Sequence, residues 1–169
     1  MDVLLIVLRL LHVGAGVFWA GAIFFVVSFL QPAVKAAGPA GGQFMQRLAA
    51  TKVFVIVPAL ALLTILSGAL LMWKVSGGSA EWMGSRAGIT LSVGATSAVV
   101  AFIVGVFVMR AATMKLLAIG QAVQASGAPP SPAQQAEIEV LQRRARSSAV
   151  GVAHLLAVAV ITMAVARYV

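Results

Sequence analysis

Two histidines, His12 and His154, each fall inside a long apolar stretch of the chain. An ionisable side chain within a lipid-embedded segment is rare and costly, so position alone makes each a candidate functional residue. A neutral imidazole offers a nitrogen lone pair to iron or copper. The same ring can hydrogen-bond a neighbouring helix and hold two helices together. At helical spacing His12 shares a face with Ala15, Gly16, Trp19 and Ile23, and His154 with Ser147, Gly151, Ala157 and Ile161. The small residues in both sets let a second helix or a flat cofactor approach closely. Thr64, Ser67, Thr90, Ser97 and Thr162 are the hydroxyl partners available to a ring with a packing role.

Ligation of one haem by both histidines requires them at similar depth. Counted from the midpoints of their apolar runs, they are offset toward opposite surfaces by about 12 Å at 1.5 Å per residue. His12 working with another group is therefore favoured over a shared bis-histidine haem. Arg9 precedes His12 by one turn and belongs at the membrane surface, where it can meet a cofactor carboxylate such as a haem propionate. Gly16 and Trp19 complete this candidate cofactor face. Thioethers suit Cu(I), and Met72, Met83 and Met163 are expected in the same half of the membrane as His12. The candidate metal set is thus His12, His154, Met72, Met83 and Met163. Methionine is also an ordinary apolar filler, and the chain has no tight Met-x-x-x-Met cluster.

Much other chemistry is excluded. The chain has no cysteine, which removes disulfides, iron–sulfur clusters and thiolate zinc sites. No carboxylate lies inside an apolar run, and no phosphate-binding glycine loop, nucleophile elbow or zinc-protease pattern occurs. No run carries a polar stripe broad enough to line a channel.

The elements that must position these residues follow from composition. Of 169 residues, 62% are hydrophobic and 9% charged, so the lipid bilayer is the expected solvent. Four runs are long enough to span it: 3–30, 53–73, 87–109 and 147–167. Their continuity predicts helices, since backbone groups in lipid must pair within the segment. The first run is read as a retained helix: Asp2 stands where a signal peptide carries basic residues, and the run is too long for an h-region. The expected fold is all-α, one four-transmembrane-helix bundle over 1–169.

Net charge is +8, but the basic residues lie between apolar runs, as topology determinants and anionic-lipid contacts do; nucleic acid is not expected as a partner. Lys35, Arg47, Lys52, Arg110, Lys115, Arg143, Arg144 and Arg146 flank the first and third connections, against Arg9, Lys74, Arg86 and Arg167 on the other side. The bias places both termini outside a bacterial cytoplasmic (inner) membrane. Gln31 to Lys52, with Pro32, Gly38 and Pro39, is expected to open as an irregular turn, with Phe44 to Thr51 along the interface. The third helix is expected to continue to about residue 124 and the fourth to begin near 132, with Ser131 as N-cap and Pro132 at the first helical position. The last two helices then project as a cytoplasmic hairpin over 110–146, a surface suited to a membrane or cytoplasmic protein partner. A second copy of the chain is a further partner to consider.

The segment Leu10-Leu11-His12-Val13-Gly14-Ala15-Gly16-Val17-Phe18-Trp19-Ala20-Gly21 resembles the first helix of a broad membrane group. That group includes the copper-resistance protein D family, uncharacterised membrane proteins related to it, and the HemJ-type protoporphyrinogen oxidases. The Leu30-Gln31-Pro32-Ala33 exit and the Ala166-Arg167-Tyr168 ending are most similar to the uncharacterised branch. The resemblance implies a haem or copper role for His12, which matches a haem ligand of the HemJ-type enzymes. Those enzymes also rely on a lysine in a later helix; the third run here has none, which argues against porphyrinogen oxidation. Three readings follow: a redox protein binding haem b with His12 as axial ligand and His154 as a second ligand or the holder of a separate group, a copper-handling protein using His12 with the outer-half methionines, and a non-catalytic accessory subunit whose histidines pack.

Overall fold

The structure, a computed structural model, describes residues 2–169. Its elements are helices: α1 (Val3–Ala36), α2 (Pro39–Ala50), α3 (Val53–Ser76), the short α4 (Ala80–Met83), α5 (Arg86–Ser126) and α6 (Pro132–Tyr168). Four of them, α1, α3, α5 and α6, are long and apolar enough to cross a membrane, and the protein is an integral membrane protein.

Side-chain size is sorted in the sense that lipid requires. The centre is filled largely by small residues: Ala15, Ala20, Ala61, Ala98, Ala101, Ala149 and Ala159 are all buried, alongside Trp19, Ile23, Val152 and Leu156. Leu10, Val17, Phe29, Leu70 and Phe107 point outward, each more than half exposed. Acyl chains are as apolar as leucine, so burying large side chains gains little, whereas small ones let helices approach and collect dispersion contacts. The four spanning helices close a ring, each touching the next: α1 with α3, α3 with α5, α5 with α6 and α6 with α1, the first and third pairs being the most extensive.

The ends and irregularities have local causes. Asp2 caps α1 through its carboxylate on the Leu5 N–H. The first helix does not stop near residue 30. Over Val26–Leu30 it widens into a π-turn, with the Gln31 N–H on the Val26 carbonyl, and it resumes with Pro32 in the first turn of the next α segment. The wider turn shifts the hydrogen-bond register just before a residue that has no N–H to give, so the chain passes Pro32 without breaking. The irregular turn expected from Gln31 is thereby reduced to Ala37 and Gly38, followed at once by α2.

A second π-turn spans Gly105–Arg110 within α5. Beyond it, Ala111–Ser126 packs on α6. Gly127, at φ 64°, ends α5 in the left-handed conformation that glycine adopts without strain. Ser131 starts α6 with a reciprocal capping box: its hydroxyl accepts from the Gln134 N–H, and its own N–H donates to Gln134 Oε1.

Candidate functional site

His12 stands on the inward face of α1, in register with the buried residues Leu8, Ala15, Trp19 and Ile23. Its ring is half-buried against α3. His12 Nδ1 lies 2.8 Å from the backbone carbonyl oxygen of Thr64. A carbonyl can only accept, so Nδ1 carries the hydrogen and donates it. The neutral ring then has its lone pair on Nε2. Thr64 Oγ1 donates to Leu60 O at 2.8 Å; Ser67 Oγ donates to Leu63 O at 2.6 Å and also lies 3.1 Å from Thr64 O, the carbonyl that His12 uses.

This contact needs a gap in the side-chain layer of α3, and Gly68 provides it. A Cβ at Gly68 would stand 2.7 Å from His12 Cε1 and 2.9 Å from Nδ1, closer than real Cβ atoms approach. Gly16, one turn along α1, faces the same helix; a Cβ there would meet Thr64 Cγ2 at 3.3 Å. Two glycines and a threonine thus bring the α1 ring onto the α3 backbone. Among the expected cofactor-face residues, His12 and Gly16 are brought together on α3. Trp19 is buried deeper in the bundle with Ala61, Ala98 and Val152. Arg9 is exposed one turn before His12 and has no carboxylate within 4.0 Å among the described residues.

His154 has a different setting. It is exposed on the outer face of α6, opposite that helix's buried residues Val152 and Leu156, and makes no hydrogen bond. Of the methionines, Met83 lines a groove on α5 with Ile89, Ser92 and Val93. Met163 is half-buried beside Gly94 of α5, where a Cβ would meet its Cγ at 3.2 Å, and Met72 is half-buried on α3. Among the described residues, no three His, Asp or Glu side chains gather into a metal-binding group.

One polar contact has a sequence signal that becomes readable only in pairs. Pro58 lies inside α3 and has no N–H to return to the Phe54 carbonyl four residues earlier. Arg110, at the end of the second π-turn, fills that vacancy: its Nε donates to Phe54 O at 2.9 Å. In a membrane, a backbone group freed by proline must find another partner, and here a guanidinium from the facing helix supplies it. Pro58 inside an apolar run announces the orphaned carbonyl; nothing local to Arg110 announces the donor. Compared with family models, with curated proteins and with solved structures, the chain matches none of them.

Proposed function

We propose that this protein is a small membrane redox protein that binds haem b with His12 as an axial ligand. The observation that carries the reading is the 2.8 Å hydrogen bond from His12 Nδ1 to Thr64 O. Ligating histidines characteristically donate their second ring N–H to a carbonyl or carboxylate, which fixes the tautomer, orients the ring and raises the basicity of the other nitrogen. His12 has that arrangement. The residues fit the group: Nε2 of His12 would hold the iron, and the unpaired cation of Arg9 would meet a propionate. When bound, haem would supply one-electron redox chemistry. The similarity of the Leu10–Gly21 segment to haem- and copper-handling membrane proteins supports the same residue.

The bias of the basic residues supports an orientation with both termini outside a bacterial inner membrane, and with 110–146 as a cytoplasmic hairpin that would be open to a protein partner. At 1.5 Å per residue, the 34-residue α segment of α6, Pro132–Val165, measures about 50 Å, well beyond the hydrocarbon thickness. A length of that kind is what a projecting hairpin requires.

A second reading draws on Gly68. The fit of the ring against a glycine is also what a histidine joining α1 to α3 would show, in a non-catalytic accessory subunit. The test is the visible spectrum of the purified protein, expressed with haem available, oxidised and reduced. Haem binding through His12 gives a Soret band that is lost in His12→Ala and kept in His154→Ala. A colourless protein carrying stoichiometric copper overturns haem in favour of a copper site using His12 with Met72, Met83 or Met163. A folded protein with neither haem nor copper leaves the joining role.

A further inference from the structure

A strongly charged surface lies where α6 changes from polar to apolar. Arg143, Arg144, Arg146, Ser147 and Val150 line an open stretch of the α6 surface. Upstream, α6 is rich in Gln, Glu and Arg; from Ser147 onward it carries no charge until Arg167, so the three arginines sit at the level where the helix meets a membrane surface. None of the three guanidiniums has a carboxylate within 4.0 Å, although Glu139 stands one turn before Arg143; the only ion pair among the described residues is Lys74 with Asp2. Their side chains make no hydrogen bond either. Arg110, by contrast, is spent on Phe54 O. Three like charges within four residues repel one another, and no carboxylate among the described residues pairs with them.

From this placement the geometry points to a binding site for the phosphate of an anionic phospholipid, held by Arg143, Arg144 and Arg146 with an acyl chain running over Val150 toward His154. Guanidinium pairs with phosphate oxygens in a bidentate way that ammonium cannot match, and all three cations at this boundary are arginine. The same helix face leads inward from Arg143 through Ser147 and Val150 to the exposed His154. His154 lies about 12 Å deeper than Arg146, level with the acyl chain rather than the headgroup. The site does not depend on the cofactor proposed at His12.

The test titrates the purified full-length protein in detergent with phosphatidylglycerol and with phosphatidylcholine, reading retained lipid by native mass spectrometry. Each surface arginine is worth roughly fivefold in anionic-lipid affinity, so the three together give a preference on the order of a hundredfold for phosphatidylglycerol. The variant R143Q/R144Q/R146Q loses that preference. The variant K35Q/R47Q/K115Q removes the same charge at exposed positions elsewhere and keeps it. R143K/R144K/R146K retains charge and loses the fork, giving an intermediate preference; it also carries the test if the glutamine variant does not insert. Equal retention of both lipids by the wild type overturns the proposal. So does equal loss in both glutamine variants, which would mark a general surface potential rather than a site. Loss of the preference on adding millimolar inorganic phosphate, with phosphate itself retained, would replace the lipid by a free anion.

Discussion

Gly68→Ala probes the His12 site without touching the histidine. Two opposed effects set its magnitude. Alanine in a helix is favoured over glycine by roughly 0.5–1 kcal/mol. Against this, the new Cβ would stand 2.7 Å from His12 Cε1 and 2.9 Å from Nδ1, so the ring must move and its bond to Thr64 O must lengthen or break. Overpacking of this kind costs roughly 1–3 kcal/mol. The net expectation is a loss of about 1 kcal/mol, in contrast to a small gain for Gly14→Ala and Gly21→Ala on α1, where an added Cβ meets nothing within 4 Å.

The decisive comparison is made in a His12→Ala background. The three atoms nearest to the Cβ position of Gly68 all belong to the His12 ring. Without that ring Gly68→Ala should become as benign as Gly14→Ala, a coupling of about 1–3 kcal/mol between positions 12 and 68. Reversible unfolding in mixed micelles by added dodecyl sulfate, followed by circular dichroism, measures all four proteins. The reasoning is refuted if Gly68→Ala is harmless in the wild type, or if it costs the same with and without the imidazole.

Arg110 and Pro58 should also be coupled. Arg110→Ala leaves the Phe54 carbonyl without its donor and is expected to destabilise by roughly 1.5–3 kcal/mol; in a Pro58→Ala background a returned N–H takes its place and most of that cost disappears, as the same unfolding assay would show. Ser131→Ala removes the capping box of α6 and should cost about 1 kcal/mol locally, read as roughly fivefold faster amide exchange over the first turns after Pro132, with the membrane-embedded part of α6 unchanged.

The four spans could be read from the sequence because the bilayer demands length and apolarity, and both are local properties of the chain. The α6 start was also local: Ser131, Pro132 and Gln134 lie within four residues. The passage through Pro32 was not, because a π-turn before proline leaves no mark in composition. At the candidate site, the sequence marks His12 by its cost in lipid but not the atom it bonds. A backbone carbonyl has no residue type, so hydroxyls were the natural expectation where Thr64 O is the actual partner. In the sequence Gly68 is one small residue in an apolar run, and its meaning appears only when α1 is laid beside it. His154 was ambiguous for a different reason: most of the fourth run is apolar around its whole circumference, so its periodicity does not say which face turns inward.

The central claim is that α3 holds His12 with Nδ1 protonated and Nε2 left as the lone-pair nitrogen. Solid-state 15N NMR of imidazole-labelled, cofactor-free protein in lipid bilayers tests it directly. The expected result for His12 is a pyrrole-type Nδ1 with a through-space contact to the Thr64 carbonyl carbon, and a pyridine-type Nε2. A pyrrole-type Nε2 at His12, or a neutral ring with no contact to Thr64, would contradict it.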